Sequence, residues 1–339
     1  MTTTTSLLGP LATPTALAGL TLPNRLVMAP MTRFRSPGGV PTAEVADYYR
    51  RRASGLGLII TEGTVIGHPS ATHETTVPTM TAGAAEEGWR RVTAEVHAAG
   101  GRIATQLWHL GSERSGAAWT PSSMTLSDIS EIVAEFAASA RVAVRAGFDA
   151  VELHAAHGYL LDEFLWPATN RRTDAFGGSP AARALFPAEV IRAVRAEIPA
   201  SMPLIVRFSQ FKERDHDATI AADPTELATI LQTLADAGAD AFHASQRRFW
   251  EPAFPGSPRN LAAWAKHLTG LPAITVGSVA LTDQISHQAE LHTALTAGDY
   301  DLVALGRILL ANPTWPALTA SGCSSKIQKY RKEHENTYF

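Results

Sequence analysis

Short runs of apolar and β-branched residues recur along the chain. Each is followed by a longer stretch in which apolar positions return every three or four residues. The short runs fall at 25–29, 57–62, 102–107, 150–154, 204–208, 241–244, 273–276 and 302–306. They are apolar with little alternation, as strands covered on both faces should be. The amphipathic stretches at 42–51, 86–99, 127–146, 181–197, 224–237, 260–267, 287–297 and 313–320 read as helices. Ser127 is the expected N-cap of the third, with Asp128 and Glu131 in its first turn, and Asp223-Pro224 places a cap before a proline at the first helical position. Gly100, Gly147, Gly238 and Gly298 close several of these stretches. Eight such units predict an α/β chain folded as a single-domain (β/α)8 TIM barrel over residues 7–323. An open doubly wound sheet is the rival, and eight regular units suit closure better. Residues 6–22 precede the first strand and are expected to cap the bottom of the barrel. Residues 1–6 read as a disordered tail and 324–339 as a polar C-terminal tail.

Composition narrows the function. The chain has 339 residues, 45% of them hydrophobic, and a net charge of −3, so neither nucleic acid nor an anionic membrane is an expected partner. Cys323 is the single cysteine, which excludes disulfide frameworks, four-cysteine zinc sites and iron–sulfur clusters within one chain. No apolar run reaches the roughly 18 to 20 residues that span a bilayer. The N-terminus lacks the basic region of a secretory signal, and the expected compartment is the cytoplasm.

In a closed barrel the chemistry lies at the C-terminal ends of the strands. There the sequence puts Thr32, Gly63, Gln106, Trp108, His154, His157, Tyr159, Arg207, Ser278 and Arg307. Thr32 either faces the mouth or caps a turn. Gln106 either reads the edge of a pyrimidine-like ring or is a satisfied strand end. Arg207 ends an apolar strand and needs an anion, either a carboxylate such as Glu62 or a cofactor that becomes anionic. The turns Val276-Gly277-Ser278-Val279 and Leu305-Gly306-Arg307-Ile308 follow the last two strands, the usual phosphate cradle of barrels. No Gly-x-Gly-x-x-Gly follows any strand, so a nicotinamide cofactor would visit the same mouth as the substrate. His154 and His157 would face opposite sides of a regular strand but can converge on a loop. They read as hydrogen-bond donors, as a metal pair completed by Glu62, Glu152 or His243, or as ordinary loop histidines. Tyr159 is a weak acid suited to proton delivery, or a tyrosine packed at the rim.

Taken together these residues resemble the Old Yellow Enzyme family of FMN-dependent ene-reductases. The resemblance runs from about residue 7 to residue 316 through LTLPNRLVMAPMTR (20–33), GLIITEG (57–63), QLWHLG (106–111), VELHAAHGYLLDEFLWPATNRRTDAFGGS (151–179), IVRFS (205–209), ITVGSV (274–279) and VALGRILLANP (303–313). It implies FMN at the barrel mouth, with Pro30, Met31, Thr32, Gly63, Gln106 and Arg207 around the ring and Gly277, Ser278, Gly306 and Arg307 around the phosphate. It further implies that NADPH or NADH reduces the flavin, and that hydride then passes to the β-carbon of an α,β-unsaturated carbonyl or similar electron-poor alkene. His154 and His157 would hold the activating oxygen, and Tyr159 would protonate the α-carbon. The alternatives are a metal-dependent hydrolase built on His154 and His157 and a non-catalytic flavin-binding protein.

Three features depart from the family's pattern. Ser112 stands where an arginine is usual, the segment up to 127 is short, and ASQRRFWEPAFPGS (244–257) is distinctive. Within it Phe249 and Trp250, like Trp108, are candidates to line the substrate pocket, with loop packing as the alternative. The expected assembly is a monomer or homodimer. Tyr338-Phe339 could reach a neighbour's pocket, or the end of the chain could be frayed.

Overall fold

The computed structural model describes residues 8–113, 119–281 and 287–338. The expected tail at 1–6 and Phe339 lie outside them. An antiparallel hairpin, β1 (Thr15–Leu17) and β2 (Leu20–Leu22), precedes eight parallel strands: β3 (Leu26–Met28), β4 (Leu58–Val65), β5 (Ile103–Trp108), β6 (Ala150–His157), β7 (Leu204–Lys212), β8 (Ala241–Ser245), β9 (Ala273–Val276) and β10 (Leu302–Leu305). These eight close into a barrel in chain order, with β10 pairing both β9 and β3. The helices are α1 (Ala43–Ala53), α2 (Ala84–Ala98), α3 (Leu126–Arg145), α4 (Leu160–Leu165), α5 (Pro180–Glu197), α6 (Pro224–Asp236), α7 (Leu261–Thr269), α8 (Gln288–Ala297), α9 (Ile308–Ala311) and α10 (Trp315–Ala320).

The period-two geometry of a strand sorts each run into two cores. Val27, Leu58, Ala104, Ala150, Ile205, Ala241, Ile274 and Leu302 share one buried cluster inside the barrel. Leu17 and Leu22 of the hairpin belong to that same cluster, so the hairpin plugs the barrel floor, as expected of the segment before the first strand. The alternate residues, such as Met28, Ile59, Ile103, Val151, Val206 and Phe242, point outward into a larger core shared with the helices. Both faces are therefore buried.

Helix starts follow side-chain chemistry. Asp223 accepts the N–H groups of Thr225 and Glu226, with Pro224 opening α6, as its sequence implies. The N-cap of α3 is Thr125 rather than Ser127. The Thr125 hydroxyl accepts the Asp128 N–H, and the Asp128 carboxylate accepts the Thr125 N–H in return. Asp128 is thus the reciprocal partner of a cap three residues earlier.

The C-terminal segment lies on its own barrel. Arg33 Nη2 donates to the Glu335 carbonyl at 2.7 Å. Asn312 bonds both the N–H and the carbonyl of Gln328. Tyr338 stacks on Tyr48 with ring centroids 4.6 Å apart. Among the described residues no helix is long and apolar enough to cross a membrane.

Candidate active site

The C-terminal ends of the strands open into one cavity of about 1010 Å³. Pro30, Met31 and Thr32 reach it from the loop after β3, Gly63 from β4, Gln106 and Trp108 from β5, and His154 and His157 from β6, with Tyr159 just beyond. Arg207 of β7, Trp250 after β8, Gly277 and Ser278 after β9, and Gly306 and Arg307 after β10 complete its wall. Thr32 caps no helix. Phe249 does not line the cavity: it is buried in the outer core, its N–H donating to the Gly277 carbonyl at 3.1 Å. The two residues share one turn after β8, their rings packed edge to face at 5.2 Å, and only Trp250 borders the cavity.

Two residues beyond the inner apolar layer, the same inward positions become polar. Gln106 Nε2 donates to Glu152 Oε1 at 2.7 Å, and His243 Nδ1 lies 2.7 Å from Glu152 Oε2. A carboxylate only accepts, so Gln106 turns its NH2 toward Glu152 and keeps its carbonyl oxygen for the cavity. Arg207 stands beside this layer. It is buried, and among the described residues its Nε has no partner and Nη2 reaches only Ser245 Oγ at 3.4 Å. Burial lowers its pKa, with Glu152 and Glu213 acting the other way. Glu62 is not its counter-ion. That carboxylate accepts the Arg33 N–H at 2.8 Å, and burial pushes its pKa up to about 7.

The histidines converge because β6 is irregular. Its register against β7 shifts between Ala155 and His157, and His157 sits at φ 67°. The two rings are then 5.2 Å apart edge to face, and Tyr159 lies 4.8 Å from His154 and 4.9 Å from Trp108. Burial, then the charge of Arg207, hold both imidazoles well below their ordinary pKa, so both are neutral. His157 Nε2 is 2.8 Å from Ser245 Oγ, while His154 Nδ1 is buried without a partner among the described residues. Burial first, then Glu213 and Glu113, raises the Tyr159 pKa, so the phenol keeps its proton at neutral pH. A metal reading of the pair finds no third ligand: Glu152 and His243 hold each other, Glu62 holds the Arg33 amide, and no group of three or more metal-ligating side chains occurs among the described residues.

At the opposite end two glycines make room. A Cβ on Gly277 would come within 2.5 Å of the Gln246 carbonyl, and one on Gly306 would meet only Met31 Sδ at 3.9 Å. Arg307 lies beside them, its guanidinium 5.4 Å from the Tyr330 ring. The Ser278 hydroxyl is engaged by the Arg247 carbonyl at 2.8 Å.

The sequence reading missed Ser245, which touches both His157 and Arg207, and the pair Asp162–Lys212 beneath the Tyr159 turn. Asp162 has a local signal, lying three residues after Tyr159 at the start of a helix, whereas Lys212 has none. Ser112 gives its N–H to Glu163 Oε1 at 3.2 Å. The rest of that short loop, 114–118, is outside the described residues.

Comparison with known proteins agrees with this geometry. The profile of the NADH:flavin oxidoreductase / NADH oxidase family matches residues 10–325. The chain is 32% identical over 343 residues to 12-oxophytodienoate reductase 7 of Oryza sativa subsp. japonica, across 90% of this chain and 86% of that protein. It is 30% identical over 342 residues to an NADH oxidase of Thermoanaerobacter brockii, across 92% of this chain but 51% of that longer protein. Its fold matches the old yellow enzyme homologue from Zymomonas mobilis with a TM-score of 0.83 and 27% identity over 97% of each chain. A closed barrel of this order, one polar mouth and matches over nearly the full length lead to one assignment: the chain belongs to the Old Yellow Enzyme family and is an NAD(P)H-dependent flavin oxidoreductase.

Proposed function

We propose that the protein is an FMN-dependent ene-reductase acting on small electron-poor alkenes such as enones, with NADPH or NADH as reductant. The observation that carries this reading is the Arg207 guanidinium, buried at the cavity floor with an unbonded Nε and, among the described residues, no carboxylate in ion-pair contact. A buried cation left in this state calls for an anion from outside the chain. Beside it Gln106 offers a single carbonyl acceptor. An acceptor next to a cationic donor suits the imide edge of a flavin. Pro30, Met31, Thr32 and Gly63 would flank the ring, and Gly277, Ser278, Gly306 and Arg307 would hold the phosphate. FMN, when bound there, supplies a carrier that takes hydride from a reduced nicotinamide and gives it to carbon.

The chain's own residues do the rest. His154 and His157, neutral and 5.2 Å apart, would donate N–H bonds to the carbonyl oxygen of an enone and stabilise the negative charge that develops on it. Tyr159 would give its proton to the α-carbon, and its raised pKa keeps that proton available at neutral pH. Trp108 and Trp250 would bound the space over the ring. Reductant and alkene share one mouth, so the kinetics should be ping-pong. The test is the visible spectrum of the purified protein, then anaerobic addition of NADPH, then of an enone. We expect a flavin spectrum that bleaches and then returns. A colourless protein would refute the cofactor, and a bleached protein that the enone does not reoxidise would refute the substrate class.

A further inference from the structure

Tyr159 is aimed by an unfavourable piece of backbone. His157 and Gly158 both lie in the left-handed region, at φ 67° and 93°. A non-glycine residue rarely adopts that conformation unless its surroundings hold it there. These two residues turn the chain off β6 and bring Tyr159 back beside His154 and Trp108.

The turn is held from beneath, outside the cavity lining. The Gly158 N–H donates to Asp162 Oδ2 at 2.7 Å. The same carboxylate takes the Lys212 ammonium on both oxygens, at 2.7 Å on Oδ1 and 2.6 Å on Oδ2. Both side chains are buried, at 2% exposure for Lys212 and 0% for Asp162. Lys212 ends β7 directly opposite His157 in the strand register. Its ammonium also lies 5.5 Å from the Trp166 ring. One ion pair thus ties the turn that carries the phenol to the neighbouring barrel strand.

As a device for stability this is a poor one. Desolvating an ammonium and a carboxylate commonly offsets their attraction, and apolar groups of similar shape do as well. What an apolar pair lacks is direction. Resting on the ene-reductase reading above, we propose that Lys212, acting through Asp162 and the Gly158 amide, is the positioning residue that fixes where Tyr159 delivers its proton. Neither Lys212 nor Asp162 exchanges a proton with substrate.

The test is the double variant Asp162→Asn/Lys212→Met. It keeps volume and an acceptor for the Gly158 N–H but removes the tie to β7. The two half-reactions are measured separately by anaerobic stopped flow. Flavin reduction by NADPH should stay within about twofold of wild type, while reoxidation by an enone slows by about tenfold to a hundredfold, as for a reacting group displaced by about 1 Å. A second readout needs no turnover. With 13Cζ-labelled tyrosine in the protein as purified, and Tyr159→Phe identifying the signal, the Tyr159 resonance should shift or broaden in the double variant. Reoxidation at the wild-type rate with an unmoved resonance would overturn the proposal. Should the double variant not fold, Asp162→Glu keeps the charge pair but pushes the carboxylate one methylene into the turn, and the same selective loss is expected. Wild-type behaviour of that variant would overturn it equally. If wild type itself is never reoxidised by an alkene, the ene-reductase reading fails, and the resonance comparison still decides whether the pair positions Tyr159.

Discussion

Arg207→Met should stabilise the flavin-free protein and weaken its response to flavin. Arg207 is 7% exposed, and among the described residues its Nε is unbonded and its one side-chain hydrogen bond is to Ser245 Oγ at a long 3.4 Å. An unsatisfied buried donor costs about 1–3 kcal/mol, and more when it is charged. Methionine fills most of the same volume without that cost. A gain of about 1–3 kcal/mol at roughly 2 °C per kcal/mol raises the flavin-free Tm by about 2–6 °C. FMN at a thousandfold excess over its Kd adds about 4 kcal/mol to wild type. The variant forgoes a charge-assisted bond of about 1.5–3 kcal/mol, which weakens binding by about tenfold to a hundredfold. The variant's lead therefore shrinks by about 1.5–3 kcal/mol when flavin is added, enough to cancel or reverse the advantage it holds without flavin unless that advantage lies at the top of its range. Thermal melts of flavin-stripped protein with and without FMN, with Kd from quenching of flavin fluorescence, check both arms. A flavin-free variant that melts below wild type would show that Arg207 is already satisfied within the chain. Arg207 would then need no anion from outside the chain.

Three further predictions test other parts of the argument. Tyr159→Phe should slow enone-driven reoxidation and leave reduction by NADPH nearly intact; equal losses in the two half-reactions would remove the proton-donor role. Thr125→Ala should cost about 1 kcal/mol in urea unfolding, whereas Ser127→Ala should stay within about 0.5 kcal/mol of wild type; the reverse order would move the start of α3. Glu62, pushed up to about 7 by burial, binds its proton more tightly folded than unfolded. Its contribution to stability is therefore full below its unfolded pKa and is lost as pH rises through about 7. Glu62→Gln should gain on wild type between about pH 4.5 and 7 and hold that gain above; parallel stability curves would contradict the raised pKa.

The barrel was legible because its signal is local and repeated. Runs such as Leu204-Ile205-Val206 are apolar on both faces, and only a sheet covered on both sides explains eight of them. The rim was less legible for the same reason. β4, β6 and β7 continue three or four residues past their apolar stretches, through register shifts at Ile60/Gly63 and Ala155/His157 that periodicity does not register. A strict period-two reading sets His154 and His157 on opposite faces, and the left-handed turn at His157 reverses that. Phe249 and Trp250 were equal candidates because nothing in an adjacent aromatic pair says which points in. That choice depends on the bond from the Phe249 amide to Gly277, made across to the next strand's turn.

Partner allocation is the deeper limit, and Glu152 shows why it matters chemically. In the sequence this carboxylate is one of three possible third ligands for a histidine pair. In the fold, register sets Glu152 directly opposite Gln106, and His243 of β8 comes to its other oxygen. No local pattern encodes that meeting, since it depends on three strands closing in order around one interior. Yet it decides what the cavity presents. With its NH2 turned to Glu152, Gln106 points its carbonyl oxygen at the cavity, and Arg207 next to it has only donors. The recognition edge of the floor, one acceptor beside one cation, is therefore written by two side chains, Glu152 and His243, that do not line the cavity themselves. A residue list taken from the mouth alone would contain Gln106 without knowing which end of its amide it offers.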